Sequence, residues 1–159
     1  MVSFTVLAVG GVKEPHLTAA IGEYTKRLSA FGAVEVKEIR EERITDEGNA
    51  AAVEAALKAE GEKLLAAVPK GAYKIALCVE GKTVDSPGLA AVIGKAIDER
   101  GRICFLIGSS HGLSPDVKRA ADLRLSMSAL TFPHQLMRLF LFEAIYRSMT
   151  ILSGKTYHK

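Results

Sequence analysis

Two breaks in the last third of the chain carry residues suited to holding a small ligand. The apolar run Phe105-Leu106-Ile107 ends in Gly108-Ser109-Ser110-His111-Gly112, and Leu123-Arg124-Leu125 empties into Ser126-Met127-Ser128-Ala129-Leu130-Thr131-Phe132-Pro133-His134. Glycine and small hydroxyl residues after an apolar run let main-chain N–H and C=O groups approach a bound molecule with no Cβ in the way. The first break lacks the lysine-serine pair of a P-loop and the G-x-G-x-x-G of a dinucleotide fold. Read alone, it fits a ligand cradle and a tight strand-to-helix connection equally well. Ser109-Ser110-His111 is no G-x-S-x-G elbow, and adjacency does not make a catalytic triad. His16, His111, His134 and His158 are scattered, with no Cys or Glu at ligand spacing, so no metal is expected.

Four polar side chains near the end are candidates for substrate chemistry. His134 and Arg138 stand one helical turn apart, on one sector of a helix that follows Pro133. Each has a plainer reading, His134 as a locally bonded helix start and Arg138 as the partner of a carboxylate. Glu143 and Arg147, acid first at i, i+4, fit a helix-supporting pair worth ~0.2–0.5 kcal/mol. The tail Gly154-Lys155-Thr156-Tyr157-His158-Lys159 reads either as a frayed terminus or as an RNA contact, where aromatic and basic side chains combine.

These positions must be presented by a regular scaffold. Strands are expected over Phe4–Val9, Val34–Ile39, Tyr73–Val79, Ile103–Ile107 and Leu123–Ser126. Helices are expected from about Pro15 to Leu28, Gly48 to Val68, Ser86 to Arg100, Ser114 to Ala121 and Pro133 to Leu152, with Ser86-Pro87 and Ser114-Pro115 as cap and first-turn pairs. Val34–Ile39 alternates apolar and polar as an edge strand does, while Ile103–Ile107 is apolar throughout as a covered central strand is. Strict alternation of strand and helix gives an α/β fold with a mainly parallel sheet flanked by helices. In such sheets ligands lie beyond the carboxyl ends of strands, here Leu77 to Gly81, Gly108 to Gly112 and Ser126 to Phe132. The last helix is apolar nearly all round, which calls for burial on two sides and suggests a second subunit as one cover.

With 159 residues, 48% hydrophobic and 25% charged, the chain is long enough for one well-cored domain, expected to span 1–159. No apolar run approaches a membrane span, and Met1-Val2-Ser3-Phe4 has neither a basic leader nor a cleavage site, so a cytoplasmic protein with no membrane partner is expected. Cys78 and Cys104 fall in strands without metal-like spacing, which suits free thiols in a reducing compartment. A net charge of +3 is only mildly basic, so charge by itself does not point to nucleic acid.

Taken together, Phe105-Leu106-Ile107-Gly108, Gly112-Leu113-Ser114-Pro115, Leu125 to His134, Arg138, Glu143, Tyr146-Arg147 and Tyr157-His158-Lys159 closely resemble the RlmH family. The opening Val6-Leu7-Ala8-Val9-Gly10 and Glu23-Tyr24-Thr25-Lys26-Arg27 are also similar to that family's start. The family comprises SPOUT-class methyltransferases that modify N3 of a pseudouridine in large-subunit (23S) ribosomal RNA. The resemblance implies a homodimer with a C-terminal deep trefoil knot. It also implies S-adenosylmethionine as methyl donor, with no metal needed because the sulfonium methyl is already activated.

By the same resemblance the cofactor is contacted by Leu77, Gly108, Met127, Ser128, Ala129, Leu130, Thr131 and Phe132. His134, Arg138, Tyr157 and His158 then serve the RNA, with Arg138 neutralising phosphate and a histidine as base. The substrate that the resemblance implies is ribosomal RNA in the large subunit or the whole ribosome. The family usually has a second glycine where this chain has Ser109; a left-handed backbone there would strain serine by on the order of 1 kcal/mol. Two rivals are a nucleotide-binding module without turnover and a ribosome-anchored structural factor, and the continuous match through Ser126 to His134 and the tail favours the methyltransferase.

Overall fold

In the computed structural model, which describes residues 1–159, strands and helices alternate along the whole chain. They are β1 (Ser3–Val9), α1 (Pro15–Leu28), β2 (Ala33–Ile39), α2 (Ala50–Ala67), β3 (Tyr73–Thr83), α3 (Ser86–Arg100), β4 (Arg102–Ile107), α4 (Pro115–Ala120), β5 (Leu123–Ser126) and α5 (His134–Leu152). The five strands form one sheet in the order β2-β1-β4-β3-β5, every pair parallel. The expected α/β class is therefore the observed one.

Alternation along each strand divides the core into two layers. Phe4, Val6 and Ala8 of β1 and Ile103, Phe105 and Ile107 of β4 face Leu28 of α1, Leu89 and Ile93 of α3, and Leu141, Phe142 and Ile145 of α5. The residues between them, Leu7, Val9, Cys104 and Leu106, pack on the other face with Leu64 of α2 and Val117 of α4. That period of two is what a strand covered on both faces requires. β2 lies at an edge, and its Val36 is 39% exposed, as its wet alternating pattern implied.

Four details of the observed elements go beyond the expected spans. β3 does not stop at Val79 but continues to Thr83, with an irregularity between Leu77 and Lys82. The cap of α3 is Asp85, whose carboxylate accepts from the Gly88 amide at 2.7 Å, so Ser86 is helical and the capping role passes to the stronger acceptor before it. β4 and β5 are not neighbours: β3 lies between them, yet all three are parallel and their exits share one edge. Asn49 caps α2, its side chain accepting from the Ala52 amide at 3.2 Å.

Candidate functional site

At the shared edge two backbones cross at van der Waals limits, and each crossing depends on a glycine. β3 pairs with β5 at Leu77–Leu125 and again at Lys82–Leu125, so the chain after Leu77 loops out and returns over β5. A Cβ on Gly81 would lie 2.6–2.8 Å from main-chain atoms of Leu125 and Ser126. At the exit of β4, a Cβ on Gly108 would be driven into the carbonyl of Gly112. Gly112 itself takes the left-handed φ of 88° and donates its amide to the Ser109 carbonyl at 2.8 Å, closing a tight turn. No non-glycine residue has a positive φ, so Ser109 is unstrained: the left-handed demand falls on Gly112.

The third exit is folded by its own hydroxyls. Ser126 Oγ donates to the Ser128 carbonyl at 3.1 Å, and Ser128 Oγ accepts from the Leu130 amide at 3.0 Å. Ala129, Leu130 and Thr131 are left exposed, Leu130 at 69%, while Phe132 packs edge-on against Phe140 of α5 with ring centroids 5.2 Å apart. Leu77, Gly108 and the Met127–Phe132 loop thus leave three consecutive strands at one end of the sheet. A cavity of 260 Å³ lies between the start of α3, the β5 exit and α5, and its lining includes Ser126, Met127, Phe132 and Glu143. A groove of 720 Å³ near Met1, Phe31 and Ala33 lies at the strands' amino ends, away from this edge.

The four polar candidates divide into two groups on α5. His134, half-buried, opens the helix beside Gln135, whose Oε1 accepts the Lys13 amide at 3.1 Å. Arg138 is 2% exposed, with Nη1 on Glu38 Oε1 and Nη2 on the Gly10 carbonyl, both at 2.9 Å, and Nε buried without a partner. Within this chain Arg138 makes the carboxylate pairing that stood as the alternative to a phosphate contact, and its guanidinium ties α5 to the ends of β1 and β2. Burial lowers its pKa and Glu38 opposes that shift, so the pairing is what keeps a charge tolerable in the core.

Tyr157 and His158 lie with a different part of the helix. Arg147 donates through Nε and Nη2 to Glu143 Oε1 at 3.0 and 2.6 Å, and its Nη1 lies 3.1 Å from His158 Nδ1. Tyr157 donates to the same Glu143 oxygen at 3.1 Å and stacks edge-on with Tyr146 at 5.0 Å, beneath the Arg147 guanidinium. The Tyr24 hydroxyl of α1 lies 3.5 Å from that of Tyr157. Hydrogen bonding with Tyr24, burial and the Glu143 carboxylate together raise the Tyr157 pKa well above the usual phenol value. Tyr157 is thus held as a hydrogen-bond donor to Glu143.

His134 and Arg147 are separated by about 20 Å along the helix at 1.5 Å per residue, so one chain does not gather all four candidates. Arg147, Glu143 and Tyr24, which carry part of the family resemblance without an expected site role, are members of this tail cluster. Their signal was present in the acid-first i, i+4 pair below two tyrosines.

A family model described as "Predicted SPOUT methyltransferase" matches residues 2–158. The chain belongs to the SPOUT methyltransferase family. Within that family it is 44% identical to the ribosomal RNA large subunit methyltransferase H of Caldicellulosiruptor bescii, over 97% of this chain and 98% of that one. It is 43% identical to the protein of that name from Shouchella clausii, over 99% of both chains. Among solved SPOUT-like structures, the tRNA (m1G37) methyltransferase from Aquifex aeolicus superposes with a TM-score of 0.53 at 18% identity, over 92% of this chain and 69% of that one. A ribosomal RNA small subunit methyltransferase E from Neisseria gonorrhoeae bound to S-adenosyl methionine gives 0.50 at 11% identity, over 95% and 67%. At such identities the superpositions speak for the SPOUT fold alone.

Proposed function

We propose that this SPOUT methyltransferase methylates N3 of a pseudouridine in large-subunit (23S) ribosomal RNA, with S-adenosylmethionine as donor and the assembled ribosome as substrate. The observation that carries the reading is the convergence of the β3, β4 and β5 exits at one sheet edge, where Gly81 and Gly108 hold main chain against main chain. The full-length likeness to ribosomal RNA large subunit methyltransferase H proteins supports the choice of RNA.

The edge fits a nucleoside carrying a sulfonium. Leu77, Gly108, Met127 and Leu130 offer main-chain donors and acceptors for adenine and ribose. Ser128 and its hydrogen bond to the Leu130 amide hold the rest of the loop, Ala129, Thr131 and Phe132, around the same space. When bound, S-adenosylmethionine supplies a methyl group already activated for displacement. The protein's share is then to align the base nitrogen and to accept the N3 proton, at separations of about 3–3.5 Å between reacting atoms. His158 and His134 are the candidate proton acceptors, since Tyr157 is held as a donor and Arg138 is committed to Glu38.

The same geometry supports a homodimer. With His134 and the Tyr157–His158 tail at different stations of α5, a complete site needs the tail of a second copy beside the cofactor edge. Val79, Leu130 and Phe140, exposed around that edge at 84%, 69% and 37%, give such a copy an apolar surface to cover. The crossing of β3 over Leu125, followed by return of the chain as α5 between α1 and α3, supports a knotted path at the C-terminal end. One sheet with a core on both faces supports a single domain over 1–159. No helix is long and apolar enough to cross a membrane, and a ribosomal substrate supports a cytoplasmic location.

The test is transfer of labelled methyl from S-adenosylmethionine to ribosomes lacking the modification, with naked ribosomal RNA alongside and the nucleoside identified by mass spectrometry. Methyl-pseudouridine on ribosomes is the expected product. Cofactor binding with no label on either substrate would replace the enzyme reading by a binding module.

A further inference from the structure

Beside the crossing at Gly81 runs a polar groove of 630 Å³, lined by Glu80, Lys82, Lys118, Arg119, Asp122 and Arg124 among others. Four of these side chains are cationic and two anionic. Both anions are already engaged: Glu80 with Lys118 at 2.5 Å, and Asp122 with Lys74 and Arg100 at 3.3 and 3.2 Å. Arg119 pairs with Asp116 outside the groove. Lys82 and Arg124 are exposed and enter no ion pair; Arg124 feels Glu80 only through the longer-range field, since Lys118 holds that carboxylate directly. They sit on adjacent strands at the β3–β5 crossing, where Lys82 is in register with Leu125.

We propose that this groove binds the sugar-phosphate backbone of the RNA substrate, with Lys82 and Arg124 as its principal phosphate contacts. The inference rests on the ribosomal RNA reading above and adds the surface that the substrate lies on. Position is the first argument. Lys82 is five residues from Leu77 and Arg124 three from Met127, so the chain itself limits the separations to about 17 and 10 Å from residues of the cofactor edge. A strand with its base at that edge reaches the groove without crossing the body of the protein. Charge is the second argument. The chain as a whole is only mildly basic, and unpaired cations gathered at one polar groove beside the site give a phosphate chain a defined place to release its counterions. A lining in which only Ala121 and Leu123 are apolar residues suits phosphate and sugar better than a hydrophobic protein partner.

The experiment compares wild type with a Lys82→Gln/Arg124→Gln double variant, and with a Lys70→Gln/Lys95→Gln control that removes the same charge from exposed positions elsewhere. Binding to deproteinised large-subunit RNA and to intact large subunits is followed against salt, together with methyl transfer and cofactor binding. The groove variant is expected to lose about tenfold or more in RNA affinity at moderate salt. The slope of log affinity against log salt should fall by about 1.5, the value for two phosphate contacts. Cofactor affinity and melting temperature should stay at wild-type values, and the control should lose less than about threefold. Equal losses in the two variants, or an unchanged salt slope, would overturn the groove while leaving the methyltransferase standing. Loss confined to intact subunits would overturn it in favour of an acidic ribosomal protein. Absence of methyl transfer by wild type would instead count against the function, with the binding slopes still deciding the groove.

Discussion

The Tyr157 hydroxyl and the Arg147 guanidinium meet on one oxygen of Glu143, at 3.1 Å and at 2.6–3.0 Å, so a single carboxylate anchors the tail to α5. Glu143 also lines the cavity that contains Met127 and Phe132, which links the tail to the loop after β5. Replacing Glu143 by Ala leaves two donors without their shared acceptor, at a cost of about 1.5–3 kcal/mol for charge-assisted bonds. The expected outcome is faster hydrogen exchange of the amides of residues 154–159 and a drop of tenfold or more in methyl transfer, with cofactor affinity within a few fold. Unchanged tail protection in Glu143→Ala would show that the tail is held by its aromatic contacts alone.

Gly81→Ala should lower stability and cofactor affinity together. Its methyl group would overlap the Leu125–Ser126 backbone, which cannot rotate away as a flexible side chain does, and overpacking of this kind costs about 1–3 kcal/mol. For a domain of this size that is a fall of several degrees in melting temperature, at roughly 2–4 °C per kcal/mol. Gly22→Ala provides the opposite case. It lies within α1 with nothing near its missing Cβ, so Ala should raise stability by about 0.5–1 kcal/mol. Thermal melts of the two variants, with cofactor titration of the first, check both signs.

Strands covered on both faces announced themselves through unbroken apolar runs, which is why Ile103–Ile107 was legible as the middle of the sheet. The exits of β3, β4 and β5 were legible for a related reason, since glycine and serine after such runs mark where the backbone must turn close to something. What the residue order did not reveal was which strands are neighbours, because β3 enters between β4 and β5 through contacts distant in sequence. Nor did it reveal the fate of Arg138. A basic residue one turn after His134 looks like a substrate contact until Glu38 and the Gly10 carbonyl, 100 and 128 positions away, are seen to occupy it. Ser109 posed the reverse case: its doubtful backbone was settled by Gly112, three residues on, taking the left-handed conformation.

The Arg138–Glu38 pair should respond unequally to removal of its two halves. Arg138 is sealed in the core whereas the Glu38 side chain is 52% exposed. Glu38→Ala strands a buried guanidinium and is expected to cost about 2 kcal/mol, a value reduced because solvent already screens one partner. Arg138→Met removes the buried charge and fills its space, leaving Glu38 free to hydrate, so the expected cost is about 1 kcal/mol or less. Urea unfolding of both variants gives the order directly. A larger loss for Arg138→Met would mean that the bond to the Gly10 carbonyl, and not the ion pair, is what fastens α5.

Glu60 supplies a pH dependence of definite sign. Its carboxyl group on α2 is 3% exposed, and burial raises its pKa, only partly countered by the Glu42 amide at 2.9 Å and the Ser109 hydroxyl. A carboxyl whose folded pKa exceeds the unfolded one binds its proton more tightly in the native state. Its contribution is complete below the unfolded value and is lost as pH rises through the folded value. Glu60→Gln keeps an oxygen acceptor for the Glu42 amide but has no proton to lose. The variant is therefore expected to show a flatter fall in unfolding free energy than wild type as pH rises from the ordinary carboxylate range toward neutrality. Parallel stability curves for the two proteins would place the Glu60 titration outside that range, and a steeper fall for Glu60→Gln would reverse the assigned sign.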